Sequence, residues 1–278
     1  MPRDRADTTA IRYARERAFH DERFADDDRR ANRFYAIDAA ANAYRMALVD
    51  SAPRDSVFLE YGCGAAASSA VHLASQGRPH VVAIDISRVA VTQAEAKARA
   101  LGLESRIEFH EMNAEALTFP DDSFDIVCGS GVLHHLDLDL AYREIARVLR
   151  PQGRAIFLEP MGHNPLINLY RQRTPEQRTP DEHPLLTNDL ELAWRYFRRV
   201  ESTHFALSSL LGLPVATSRV GPRVLGWLDA ADRAMFRRIP ATRRLSWLVV
   251  IELIGSRTGG DREGSSQPEG AGRVKGRP

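Results

Sequence analysis

Short apolar runs alternate with longer amphipathic stretches through the middle of the chain. Val57-Phe-Leu59 is a brief apolar run that ends at glycines, after Pro53 and Arg54-Asp-Ser56 have broken the segment before it. Ala65 to Gln76 is rich in small residues and stops at Gly77, which predicts a helix with glycine just past its end. His80-Val-Val-Ala-Ile-Asp85 reads as the next strand. Ser87 is placed to cap a helix that runs to Leu101 and is closed by Gly102, and Arg106-Ile-Glu-Phe-His110 alternates as a third strand. A fourth strand over Phe124 to Cys128 precedes a helix whose apolar stripe is Ala141, Ile145, Val148 and Leu149. Pro151-Gln-Gly153 ends that helix, and Arg154 to Glu159 is a fifth strand. The alternation predicts an α/β fold, a doubly wound and mostly parallel sheet with helices on both faces and right-handed crossovers.

The flanks are less regular. Thr8 to Val49 is polar and alanine-rich with scattered aromatics, a pattern of helices laid against another surface, so residues 1–50 are read as an N-terminal helical cap. Residues 51–160 form the core and residues 161–254 an acceptor-side region. In that region Asn164 to Arg173 and Asp189 to Phe197 read as helical, with the proline-rich loop Thr174 to Pro184 between them. Strands near Val200 to Phe205 and Trp247 to Ile254 bring the sheet to seven, with an amphipathic helix near Val224 to Arg237 between them. Residues 255–278 are polar and glycine-rich and are expected to be a disordered tail.

Composition narrows the partners. The formal charge of the 278 residues is +1, which supplies no global field for nucleic acid or an anionic membrane, and no basic stripe with interleaved aromatics suggests nucleic-acid binding. Cys63 and Cys128 have neither zinc nor disulfide-framework spacing, and the first twenty residues mix arginines with acids and hold no continuous apolar segment. A cytoplasmic location is expected. Leu245 to Ile254, the longest apolar run, is interrupted by Ser246 and Glu252 and is too short to cross a bilayer, so no stable membrane insertion is expected.

Gly62 and Gly64 let the backbone turn sharply off a buried strand and approach a ligand, and the following helix directs free amides at it. Gly62-x-Gly64-x-x-Ala67 also satisfies a relaxed dinucleotide fingerprint, and Asp85 at the end of strand two suits the hydroxyls of an adenosine ribose, so NAD and S-adenosylmethionine both remain open on these residues. Glu60 separates them: an acid just before the turn suits a ligand with an ammonium group and is badly placed against a pyrophosphate.

Leu59-Glu-Tyr-Gly-Cys-Gly64 resembles the first motif of class I S-adenosylmethionine-dependent methyltransferases. Ala83-Ile-Asp-Ile-Ser87, Asn113-Ala-Glu115, Phe119-Pro-Asp-Asp-Ser-Phe-Asp125, Val132-Leu-His-His-Leu136 and Leu149-Arg-Pro-Gln-Gly153 follow in that family's order. The resemblance runs from about Val57 to Glu159 and is nearest to the small-molecule group that includes ubiquinone-type enzymes. It implies a Rossmann-like seven-stranded fold, S-adenosyl-L-methionine as cofactor and methyl transfer to a small-molecule acceptor, either a small metabolite or a lipid-like molecule. By the same resemblance Gly62 and Gly64 line the methionyl part, Asp85 takes the ribose, Ile86 packs on adenine, Asn113 with Ala114 addresses the adenine edge, and Ser130 sits near the sulfonium. Asn113 stands where that family usually has aspartate, and Ala66 where a third glycine is frequent. Those departures keep a non-catalytic, methyltransferase-like binding protein as the first alternative; an NAD(P)-dependent oxidoreductase is the second.

A sulfonium methyl is already electrophilic, so the protein has mainly to align a nucleophile and exclude water, with a base needed only where the acceptor loses a proton. Candidate bases are His134 and His135 after strand four and His163 after strand five, with Glu159 expected to orient His163 or touch the acceptor. No metal site is expected; His183 with its flanking acids reads as a turn. Arg171, Arg173, Arg178, Arg195, Arg198 and Arg199 either recognise an acceptor anion or form a solvated helix face. Phe19, Phe34 and Tyr35 either close over the cofactor or simply pack. The apolar stretches Leu207 to Val215 and Val224 to Phe236 line either the acceptor pocket or a homodimer contact.

Overall fold

The computed structural model describes residues 3–25, 37–175, 178–179 and 181–257. Phe34, Tyr35 and nearly all of the expected tail lie outside them. Strands β1 (Val57–Tyr61), β2 (His80–Asp85), β3 (Ile107–Glu111), β4 (Phe124–Ser130), β5 (Leu149–Pro160), β6 (Phe197–Phe205) and β7 (Leu248–Ser256) form one sheet. Its order is β3-β2-β1-β4-β5-β7-β6. The pairs from β3 to β5 are parallel, and β7 runs antiparallel to both β5 and β6. The order reverses between β1 and β4, and a crevice forms outside the carboxyl ends of strands at such a switch point.

Eight α-helices accompany the sheet among the described residues: α1 (Arg3–Ala25), α2 (Ala39–Asp50), α3 (Ser68–Ser75), α4 (Arg88–Ala100), α5 (Leu138–Val148), α6 (Pro165–Arg173), α7 (Thr187–Leu192) and α8 (Gly221–Arg238). Helix α5 shows how local chemistry sets an element. Asp137 caps it by accepting from the amides of Asp139 and Leu140, and Leu138, Ala141, Tyr142, Ile145 and Val148 form its buried stripe. Leu149 then turns extended ahead of Pro151 and opens β5, so the last residue of the expected helical stripe serves as the first of the strand. The stripe packs in one buried cluster with Leu59, Phe124, Val127 and Phe157; a second cluster on the other face holds Phe58, Ala70, Leu73, Ala94, Ile126 and Ile156.

Besides strands β4, β5 and β6, which run past their expected ends, two helical segments differ from the sequence reading. Helix α3 begins at Ser68 rather than Ala65, because Gly62, Gly64 and Ala67 all hold positive φ and the chain is still turning. Asp189 to Phe197 is not one helix: α7 stops at Leu192, a single 3₁₀ turn follows, and Phe197 is the first residue of β6.

Glu60 also differs from its expected role. Rather than facing a ligand, its carboxylate accepts from the amides of Ser69 and Ala70 at 3.0 and 2.9 Å, satisfying the free donors in the first turn of α3. Burial pushes this acid upward despite those bonds, and Arg45, itself buried, lies close through the Ser69 hydroxyl. Both cysteines are free and buried, and burial pushes the Cys128 thiol up to about 12, so neither is a ready nucleophile.

Glu60→Ala leaves two buried amides unsatisfied and is expected to cost about 1.5–3 kcal/mol, read as a lower midpoint in urea unfolding. On β6, burial and then Arg243 push His204 down to about 4, and its Nδ1 lies 2.9 Å from the Ser246 hydroxyl. Because the folded state holds this imidazole neutral, its contribution is complete above the unfolded value near 6.5 and is lost as pH falls from there toward 4. His204→Gln should therefore flatten the acid side of the stability profile between those values; an unchanged slope would exclude His204 as its source.

Candidate active site

The segments that leave the carboxyl ends of β1, β2 and β4, together with Met112 to Glu115 after β3, converge on a cavity of about 580 Å³. Its lining includes Gly62, Gly64, Asp85, Ile86, Asn113, Ala114 and Ser130. These expected cofactor residues come from distant parts of the chain yet share one wall; Glu60, capping α3, is not among the lining residues.

The floor is the turn after β1. Gly62 has φ +59°, and a Cβ there would stand 2.8 Å from Val132 Cγ2, so glycine is required both by conformation and by space. The Asp85 carboxylate fixes the turn: one oxygen accepts from the Gly64 amide at 2.8 Å and the other from the Ser87 amide at 2.9 Å. Burial pushes Asp85 upward against these bonds. Ser87 caps α4 by accepting from the Ala90 amide, so β2, the turn and α4 are tied at one point. Asn113 Oδ1 accepts from the Glu115 amide at 2.9 Å, which fixes the loop after β3 in a side-chain-closed turn.

Helix α1 lies across the opposite wall. Glu115, buried, receives Arg12 and the Tyr13 hydroxyl at one oxygen and the Asp137 amide at the other. The Ser87 hydroxyl donates to Asp21, and Gln93 donates to the carbonyl of Phe24. Arg12, Tyr13, Glu16, His20, Arg23 and Phe24 thus line the cavity. Phe19 stands edge-on to His20, a packing role.

The histidines separate. Glu159, fully buried, accepts from the amides of Val132 and Leu133, and its other oxygen lies 2.8 Å from His134 Nδ1. It therefore orients His134 and not His163, because β5 lies beside β4 and its end faces the loop that β4 leads into. His163 is not among the lining residues; its Nε2 accepts from the Thr187 amide at 3.1 Å and closes the approach to α7. His134 and His135 both line the cavity, their rings 4.2 Å apart. His134 Nε2 lies 4.0 Å from Glu182, which is paired with Arg171 at 2.8 Å and Arg178 at 3.6 Å. Of the arginines noted in the sequence, Arg171 and Arg178 reach the cavity, whereas Arg195 and Arg199 pair with Asp139 and Glu201 away from it.

His135 faces Glu16 and His20, residues that sequence reading passed over. Their signal was slight, an acid and a histidine four apart on a polar helix. Burial would push Glu16 up, but His135, His20 and Thr179 outweigh it and hold the carboxyl well below the usual range. Burial, then the neighbouring His134, pushes His135 down.

Residues 59–157 match the family model described as a methyltransferase domain. An uncharacterized methyltransferase, YcgJ, of Bacillus subtilis (strain 168) is 36% identical over 127 residues, 44% of this chain and 48% of that protein. The ubiquinone/menaquinone biosynthesis C-methyltransferase UbiE of Vibrio vulnificus (strain YJ016) is 33% identical over 138 residues, 48% of this chain and 52% of that one. This chain spans about half the length of these curated relatives. Among solved structures, the geranyl diphosphate C-methyltransferase of Streptomyces coelicolor A3(2) superposes with a TM-score of 0.54 at 15% identity, covering 78% of this chain and 79% of that one, and so shares the fold. The stretch that matches this methyltransferase domain carries the glycine turn, Asp85, the Asn113 loop and the paired histidines.

Proposed function

We propose that the chain transfers a methyl group from S-adenosyl-L-methionine to a small-molecule acceptor by in-line displacement. The observation that carries this reading is the turn from Gly62 to Ala67, pinned by Asp85 and open to the cavity at the switch point of the sheet. Gly62 and Gly64 bring the backbone against the methionyl part. Asp85, at the end of β2, accepts from the ribose hydroxyls in exchange for one of its present amide bonds. Ile86 packs on the adenine and Asn113 with Ala114 meets its edge, while Ser130 lies toward the sulfonium. Glu60 acts one step back, holding α3 where its amino end frames the site.

The acceptor occupies the side lined by His134, His135, Tyr170, Arg171, Arg178, Glu182 and Trp247. This wall joins aromatic surface to a paired guanidinium and carboxylate cluster, which suits a molecule with an apolar body and a polar head. His134 is the base for an acceptor that loses a proton. With Nδ1–H donating to Glu159, Nε2 is left as the accepting nitrogen on the cavity side. Helix α1 excludes water from the methyl group by covering the opposite wall.

Calorimetry with S-adenosylmethionine, its demethylated product and NAD tests the cofactor. The two sulfur ligands should bind and NAD should not; failure of both sulfur ligands would sink the reading. Asp85→Ala should weaken S-adenosylmethionine by about 10- to 100-fold, the equivalent of one hydrogen bond to a charged group. A labelled-methyl screen over hydroxyl, amine and carbon acceptors then identifies the substrate. On a hydroxyl acceptor, His134→Ala should lower kcat by about 10²–10⁴ with little change in cofactor affinity; an unaltered kcat would remove His134 as the base.

A further inference from the structure

Glu16 and His20 lie one turn apart on the cavity face of α1, and His135 enters from the loop after β4. Glu16 Oε2 is 3.6 Å from His20 Nε2 and 3.4 Å from His135 Nδ1. These three groups can each place a donor atom within 4.8 Å of the others. Bonds of ~2.0–2.2 Å to a tetrahedral zinc ion imply edges of roughly 3.3–3.6 Å between donors, which is the spacing found at Glu16. By contrast, it is too long for good hydrogen bonds, and among the described residues neither oxygen of the Glu16 carboxylate has a hydrogen-bonding partner, nor does His135 Nδ1. Glu16 is only 4% exposed, so this is a buried acid aimed at two imidazoles with no stronger partner. Among the described residues its ion-pair partners are those two histidines alone.

A neighbouring trio, His134, His135 and Glu182, has similar spacing but is already satisfied. His134 Nδ1 is engaged by Glu159, and Glu182 is neutralised by Arg171 and Arg178. The uncompensated donors are therefore on the α1 side of His135.

We infer that Glu16, His20 and His135 form a binding site for a divalent transition metal ion, zinc in the first instance. Two imidazole nitrogens and one carboxylate oxygen make the three-ligand set of zinc sites that keep a fourth position for water or substrate. Hard magnesium and calcium ions prefer all-oxygen sites, so the imidazoles argue against them. The site opens on the cavity, whose lining includes all three residues, so the fourth position is available to an oxygen of the acceptor. The Phe19 and Phe24 rings pack against His20 and hold its orientation. Because two ligands belong to α1 and the third to the loop after β4, the ion would also fasten that helix over the cavity.

The inference goes beyond methyl transfer and is tested without it. The full chain, stripped with a chelator, is titrated with zinc chloride by calorimetry, and with cobalt(II) by visible absorption. One zinc per chain is expected, together with the intense visible bands of tetrahedral cobalt and a raised unfolding temperature in zinc. Glu16→Gln, His20→Ala and His135→Ala should each weaken zinc by more than the roughly 10–100-fold that loss of an outer-shell partner costs, whereas His183→Ala should bind as the unaltered chain does. Circular dichroism of the metal-free variants establishes that they fold, and His20→Ala, at the least buried ligand, is the variant to rely on if the others do not. Absence of zinc uptake by the unaltered chain would overturn the inference, as would retention of full affinity by His20→Ala. S-adenosylmethionine affinity of the stripped chain is read separately, so failure of the metal site is distinguishable from failure of the methyltransferase reading.

Discussion

One carboxylate, Asp85, ties the end of β2 to the turn that follows β1, and the site is organised around that link. A parallel strand that ends at a sheet edge leaves amides pointing into a crevice with no ladder partner, and the tight turn after β1 adds more. Asp85 receives one amide from each side, from Gly64 and from Ser87. Without it the loops after β1 and β2 would lose the side-chain link between them, leaving the backbone bond from Cys63 to Ile84. The same bonds present a carboxylate, already dehydrated and oriented, where a ribose would place its hydroxyls.

The same solution recurs around the carboxyl edge. Glu60 satisfies the first turn of α3, Glu159 the loop after β4, and Glu115 the start of α5 together with α1. Each is buried, and each receives backbone amides, so the cost of removing a charge from water is offset locally rather than by a distant partner. The result is a rim of fixed acids beneath a cavity into which basic side chains project from α1 and α6. Such a rim is stiff, which matters for a reaction that depends chiefly on alignment.

Most of the sheet was legible because it is written in local signals. Ser87 before α4, Asp137 before α5 and the glycines after helices mark ends that no distant contact has to decide. Side-chain direction was less legible. Glu60 precedes the glycine turn in the chain, but whether its carboxylate faces a ligand or the helix it leads into depends on where α3 starts, and positive φ at Ala67 delays that start to Ser68. Glu159 and His163 are neighbours in the chain, yet β5 runs beside β4, so the end of β5 meets His134 instead. Sequence adjacency was the wrong guide there, and strand adjacency the right one.

Helix α1 was the hardest part to read, for a related reason. Its polar face has little of the apolar periodicity that marks a core helix, because what it covers is not core. Arg12 and Tyr13 meet Glu115, Arg15 meets Asp181, and Asp21 meets Ser87, so the docking is electrostatic and spread over separate loops. Contacts of that kind are weaker and more dependent on surroundings than buried apolar area, and they leave a helix able to lift. A metal ion bridging Glu16 and His20 to His135 would add a strong bond between α1 and the loop after β4, where the present contact is 3.4 Å.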